Sequence, residues 1–214
     1  MNQSLLDALR LLGDAAKVMI IATTLLLISF SMVLVIPSTA VSAFLRYREA
    51  ESIVRGYAVL AIILALSSLI LIFTSIYGIF MNSMNYFANY KNELSIVKSY
   101  IQWGFIGGLL LAILGTIFYV LGFIASPPAT AAGLPLFIIG ILMLWLGGIG
   151  LSVLCLKLYE EFKSILMLIA GVFFLIMGAS SLISWVLVHI ETKSLIAKFA
   201  GPSATTVIVP PPPP

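Results

Sequence analysis

Ionisable side chains are scarce in this chain: 11 basic and 8 acidic residues among 214, or 9%, where ordinary soluble domains carry about 25%. The formal charge is only +3 and no basic run occurs, so nucleic acid is not an expected partner. One histidine, His189, and one cysteine, Cys155, cannot supply the three or four donors of a zinc site or the usual histidine ligands of a haem, so no metal or cofactor is expected. An internal disulfide is impossible for the same reason. No Gly-x-Ser-x-Gly, His-Glu-x-x-His or phosphate-loop pattern is present, no catalytic residue is assigned, and the chain is not expected to be an enzyme.

What is abundant is apolar surface, at 62% of residues and a mean hydropathy of +1.19. These values place the chain among multi-pass helical membrane proteins. The clearest stretch runs from Gly104 to Gly122, where Gly104, Gly108, Ala112, Gly115 and Gly122 are separated by four, four, three and seven residues. On a 3.6-residue helix they share one narrow stripe of nearly bare backbone, a surface suited to another helix. Ala61, Ala65, Ser68 and Ser75 repeat the rhythm, and Gly140 with Gly147 and Gly171 with Gly178 are seven-residue pairs. The glycine pairs allow a remnant internal repeat, although packing accounts for them without one.

In chain order, residues 1–17 form an amphipathic lead-in, with Leu5, Leu9, Leu12 and Ala16 on one side and Asp7, Arg10, Asp14 and Lys17 on the other. Two readings stay open for it, a helix in the headgroup layer or an extension of the first spanning helix. Five uncharged spans follow, at about 18–36, 57–80, 103–125, 134–156 and 164–188, within a bundle of residues 18–191. The first run is too long for a signal-peptide core. The expected fold is therefore all-α, a polytopic bundle of about five transmembrane helices behind an amphipathic helix. Between the spans lie a helix bend at Pro37, a mixed-charge cluster from Arg46 to Arg55, a polar connection over 81–102, a tight proline turn at SPPATAAG and the charged KLYEEFK link. Residues 192–214 end in five prolines, an extended tail.

Five spans put six basic residues on the amino-terminal side against five opposite. The uncharged turn after the third span and the poorly charged tail favour an inside N-terminus and an outside C-terminus. The acid/base candidates, Glu160 with Glu161 and His189 with Glu191, are then roughly 35 Å apart across the fifth span and read as solvated charge.

From Tyr77 to Glu191 the passages YFANYKNELSIVKSYIQWGFIGGLLLAILG, ILMLWLGGIGLSVLCLKLYEEFK, LIAGVFFLIMG and ISWVLVHIE resemble an uncharacterised archaeal family of multi-pass membrane proteins, domain of unknown function 973. The resemblance implies an archaeal membrane location and about five spanning helices. It carries over no activity and no site residue.

The function expected from these features is a non-catalytic membrane component that packs through its small-residue faces against other membrane subunits or a second copy of itself, surrounded by membrane lipids. The alternative is a carrier or channel for a neutral or lipid-like solute, lined by Ser67, Ser68, Thr74, Ser75, Thr116, Ser180 and Ser181.

Overall fold

The computed structural model describes residues 3–43, 49–124, 127–176 and 180–200, and every element among them is helical. The protein is an all-α polytopic bundle. Helix α1 spans Gln3–Ala43, 41 residues without interruption, so the amphipathic lead-in and the first span are one rod about 60 Å long that continues past Pro37. Leu5, Leu9, Leu12 and Ala16 are all buried, while Arg10, Asp14 and Lys17 are exposed. The lead-in is thus an extension of the span, its apolar stripe taken up by protein and not by headgroups.

Helix α2 (Glu49–Phe73) passes through a π-helical segment, Thr74–Phe80, into α3 (Met81–Tyr90) with helical backbone at both joins. Lys91 adopts an extended conformation and ends that rod. After a short turn, α4 (Leu94–Gln102) leads through a second π-helical segment, Trp103–Gly107, into α5 (Gly108–Ile124). The polar connection expected over 81–102 is therefore two helices that prolong the spans on either side.

Helix α6 covers Pro127–Phe162. Of the proline turn expected at SPPATAAG, the residues PPATAAG are instead its first turns. Proline in the first turn of a helix gives up an N–H that has no intrahelical partner there, so Pro127 and Pro128 start the helix. Lys163, at φ 53°, turns the chain away, and Ser164 precedes α7 (Ile165–Ile176), its Oγ accepting from the Met167 N–H at 3.4 Å.

The fifth stretch, 164–188, departs from expectation. It is two helices, α7 and then α8 (Ser180–Ala200), and they lie antiparallel. Phe174 meets Trp185 edge to face at 5.0 Å, and further along Phe162 meets Phe199 at 5.5 Å. The 12 described residues of α7 are about 18 Å long, shorter than a layer of roughly 30 Å.

Among the described residues four stretches are long and apolar enough to cross a membrane: Gln3–Met32, Val59–Tyr90, Leu94–Gly115 and Ala132–Phe162. They form two antiparallel hairpins, α2 along α1 and α5 along α6. The lower parts close into one core in which α1, α3, α4, α6, α7 and α8 pack in turn around Leu9, Met84, Phe87, Ile101, Leu154 and Met167. No comparable packing joins α2 to α5 among the described residues, and each presents a mostly apolar outer surface.

Candidate functional site

Two helix seams and one charged clamp are what this chain builds with its polar and small residues. The first seam joins α1 to α2 and its continuation. Ser68 Oγ donates to the Ala22 carbonyl at 2.8 Å, Ser75 Oγ to the Ala15 carbonyl at 3.0 Å and Ser83 Oγ to the Ala8 carbonyl at 2.8 Å. Ser29 returns the bond from α1, donating to the Ala61 carbonyl at 2.8 Å. All eight residues are buried.

On α1 the rungs fall at 8, 15, 22 and 29, a regular seven-residue step. Opposite they fall at 61, 68, 75 and 83, and the last step is eight. The π-helical segment lies across that step, its Met81 N–H bonding five residues back to the Ile76 carbonyl, and absorbs the additional residue. Without it Ser83 would rotate away from Ala8. Ala65, between Ala61 and Ser68, is half-buried.

The second seam joins α5 and the π-helical segment before it to α6. A Cβ on Gly108 would come within 2.7 Å of the Leu144 nitrogen, and one on Gly140 within 2.8 Å of Ala112 Cα. Gly104 faces the backbone of Gly147, and Gly115 that of Phe137. The seven-residue glycine spacing on each helix is what antiparallel partners in backbone contact require, since the same face recurs every two turns. On α7, Gly171 packs toward the Ser152 carbonyl and Cys155 of α6. Gly178 lies outside the described residues, as do the surroundings of Gly122 and the side chain of Thr116.

Sequence reasoning missed the α1 half of the first seam. Ala8, Ala15, Ala22 and Ser29 carry a visible seven-residue signal, masked by the stronger alternation of leucine and charge in the lead-in.

The clamp lies where the α3–α4 turn meets the end of α6, past Leu156, the last residue of the expected fourth span. Glu161 accepts from the Lys91 ammonium and from the Tyr90 hydroxyl, the latter at 2.8 Å. Lys157 pairs with Glu160 at 3.2 Å and Glu93 at 3.6 Å. The bond to Glu161 is the main cause holding the Lys91 amine above the ordinary lysine range, with burial opposing it. Glu160 and Glu161 serve different lysines, as their 100° separation on a helix dictates, and do not converge. The cleft they border with Leu5 and Phe87 has a volume of about 90 Å³, well below the roughly 300 Å³ at which ligand pockets begin.

His189 and Glu191 are not exposed surface groups. His189 Nδ1 lies 2.9 Å from the Gly13 carbonyl, an acceptor, which makes Nδ1 the protonated nitrogen. Glu191 is buried at 9% exposure. The break between α7 and α8 also removes the continuous fifth span that was to hold this pair far from Glu160 and Glu161. Among the described residues no group of three or more His, Cys, Asp or Glu is placed to hold a metal ion.

Compared with known families, the chain matches the model of a protein of unknown function (DUF973) over residues 6–214. The chain belongs to this family. The DUF973 match covers both helix seams and the clamp, and reaches well beyond the 77–191 region that carries the resemblance in sequence. No curated protein and no solved structure matches. For this DUF973 member the seams and the clamp therefore have to be interpreted from their own chemistry.

Proposed function

We propose that this DUF973 protein is a non-catalytic integral membrane component whose small-residue seams assemble its own bundle and whose apolar outer faces meet lipid and other membrane subunits. The observation that carries the reading is how the seam hydroxyls are used. Ser68 and Ser75, two of the groups that could line a solute path, are spent on carbonyls of the facing helix, Thr74 bonds the Ile70 carbonyl of its own helix, and Ser180 bonds that of Phe173. Backbone contact along the α5–α6 seam leaves no room for a solute between those helices. A carrier for a neutral solute would need such groups turned to a cavity, so the component reading is preferred.

The reading includes a topology. With the α7–α8 hairpin folded back, the chain crosses four times and both ends share one side. Arg10, Lys17, Lys91, Lys98, Lys157, Lys163, Lys193 and Lys198 then lie with the ends, against Arg46, Arg48 and Arg55 opposite. Eight against three follows the positive-inside rule and puts both ends inside.

The test is gentle solubilisation from the native membrane followed by sizing and identification of what stays bound. A stable homo- or hetero-complex is expected. A lone monomer, or saturable solute flux in reconstituted liposomes, would overturn the proposal.

A further inference from the structure

Resting on the membrane reading above, we infer that the α7–α8 hairpin is a lipid-anchoring device, inserted tip first into the leaflet on the side of the chain ends and held at its base by anionic phospholipid headgroups. Its outer face is apolar at helical spacing: Ile169, Val172 and Ile176 on α7, and Ile183, Val186 and Ile190 on α8, are 37–64% exposed. The opposite face, with Met167, Ala170 and Phe174, is buried against the rest of the molecule. An exposed apolar stripe on a helix of about 18 Å matches the depth of one leaflet, about half of a 30 Å core.

Two of the last four carbonyls of α7 are fitted to a medium without water. The last carbonyls of a helix lack intrahelical partners, and in hydrocarbon each must find a donor. Here the Leu175 carbonyl accepts from the Trp145 indole N–H at 3.3 Å and the Phe173 carbonyl from the Ser180 hydroxyl at 3.2 Å. The base has the opposite character. Lys163, Lys193 and Lys198 are exposed there, and none has a carboxylate partner among the described residues. Apolar tip and unneutralised basic base fit a phosphate-bearing leaflet and match poorly a second copy of this face, which would set lysine against lysine.

The full chain is reconstituted in phosphatidylcholine vesicles containing phosphatidylglycerol, with a fluorophore on V172C or I176C. Cys155 is buried and does not compete for label. Acyl-brominated lipid should quench both labels, and aqueous iodide should not. Lysine-to-glutamine changes at Lys193 and Lys198 should each lower the retained ratio of phosphatidylglycerol to phosphatidylcholine about fivefold, the factor equivalent to roughly 1 kcal/mol per basic residue. Iodide quenching, quenching by neither agent, or an unchanged lipid ratio in both variants would overturn the inference. An I63C label on α2 separates the two levels: loss of its bromine quenching would overturn the membrane reading itself, whereas its retention with an iodide-quenched V172C overturns only the hairpin.

Discussion

Replacing Gly140 by alanine adds one methyl group, but that methyl lands within 2.8 Å of Ala112 Cα and 2.9 Å of the Gly108 carbonyl, both backbone atoms that cannot swing aside. The helices must separate, and overpacking of this kind costs about 1–3 kcal/mol. Gly56 is the control, because nothing lies within 4 Å of its added Cβ. Gly56→Ala should leave stability unchanged or raise it by up to about 1 kcal/mol through helix propensity. In one detergent the thermal midpoint should therefore fall for Gly140→Ala and hold or rise for Gly56→Ala. A serine on the other seam is a smaller matter. Ser75→Ala removes one hydroxyl from a carbonyl that keeps its intrahelical partner, and the expected loss is about 0.6 kcal/mol. A loss several times larger would mean that the hydroxyl also excludes something from the seam.

Among the elements, the π-helical segment Thr74–Phe80 sets the register of the first seam. Deleting Gly78, whose position is exposed, should convert it to α-helix and turn α2 by about 100° relative to α3. Either Ser83 or the three upper rungs then lose their partners, so Ser68→Cys in the deletion background should gain reactivity toward a lipid-soluble thiol reagent if the upper rungs are lost. The midpoint should fall by more than in any single serine variant. Much of this architecture was legible in the residues: charge-free runs gave the helices, and the positions of Gly108, Gly115, Gly140 and Gly147 gave the faces that the structure brings into backbone contact. Three things were not. The stretch 164–188 is apolar and uncharged throughout, so its division into α7 and α8 could not be read from periodicity. A π-helical insertion shifts a pattern by one residue without changing its composition, which hid Ser83. The clamp joins Lys91 to Glu161, 70 positions along the chain, and no spacing rule reaches that far.

The clamp has its own element-scale signature. Lys91 gains a carboxylate partner on folding and its amine pKa is raised. A raised amine contributes stability in full below its unfolded pKa, and the contribution disappears as pH rises through the folded value. The difference in thermal midpoint between wild type and Lys91→Met should therefore be present at neutral pH and close on the alkaline side of the ordinary lysine range. A difference that persists unchanged there would assign the role of Lys91 to packing of its methylene chain.

At the scale of the whole molecule, the number of crossings decides where the C-terminal segment resides, and one short hairpin decides the number of crossings. If 164–188 crossed, Lys193 and Lys198 would be outside and the basic residues would divide six to five, an arrangement with almost no orienting power. Folding the same residues back as α7 and α8, as in the four-crossing topology proposed above, would bring both lysines to the side of the chain ends and divide the basic residues eight to three, a bias with real orienting power under the positive-inside rule. Single cysteines make this measurable, since Cys155 is buried and silent. In sealed, right-side-out vesicles, a membrane-impermeant maleimide should label Tyr47→Cys, between α1 and α2, and should reach Gln3→Cys and Ser194→Cys only after the vesicles are opened. Labelling of Ser194→Cys together with Tyr47→Cys would restore five crossings. Labelling of Gln3→Cys and Ser194→Cys together, with Tyr47→Cys protected, would keep four crossings and invert the molecule, leaving its basic residues on the outer face against the rule that otherwise orients it.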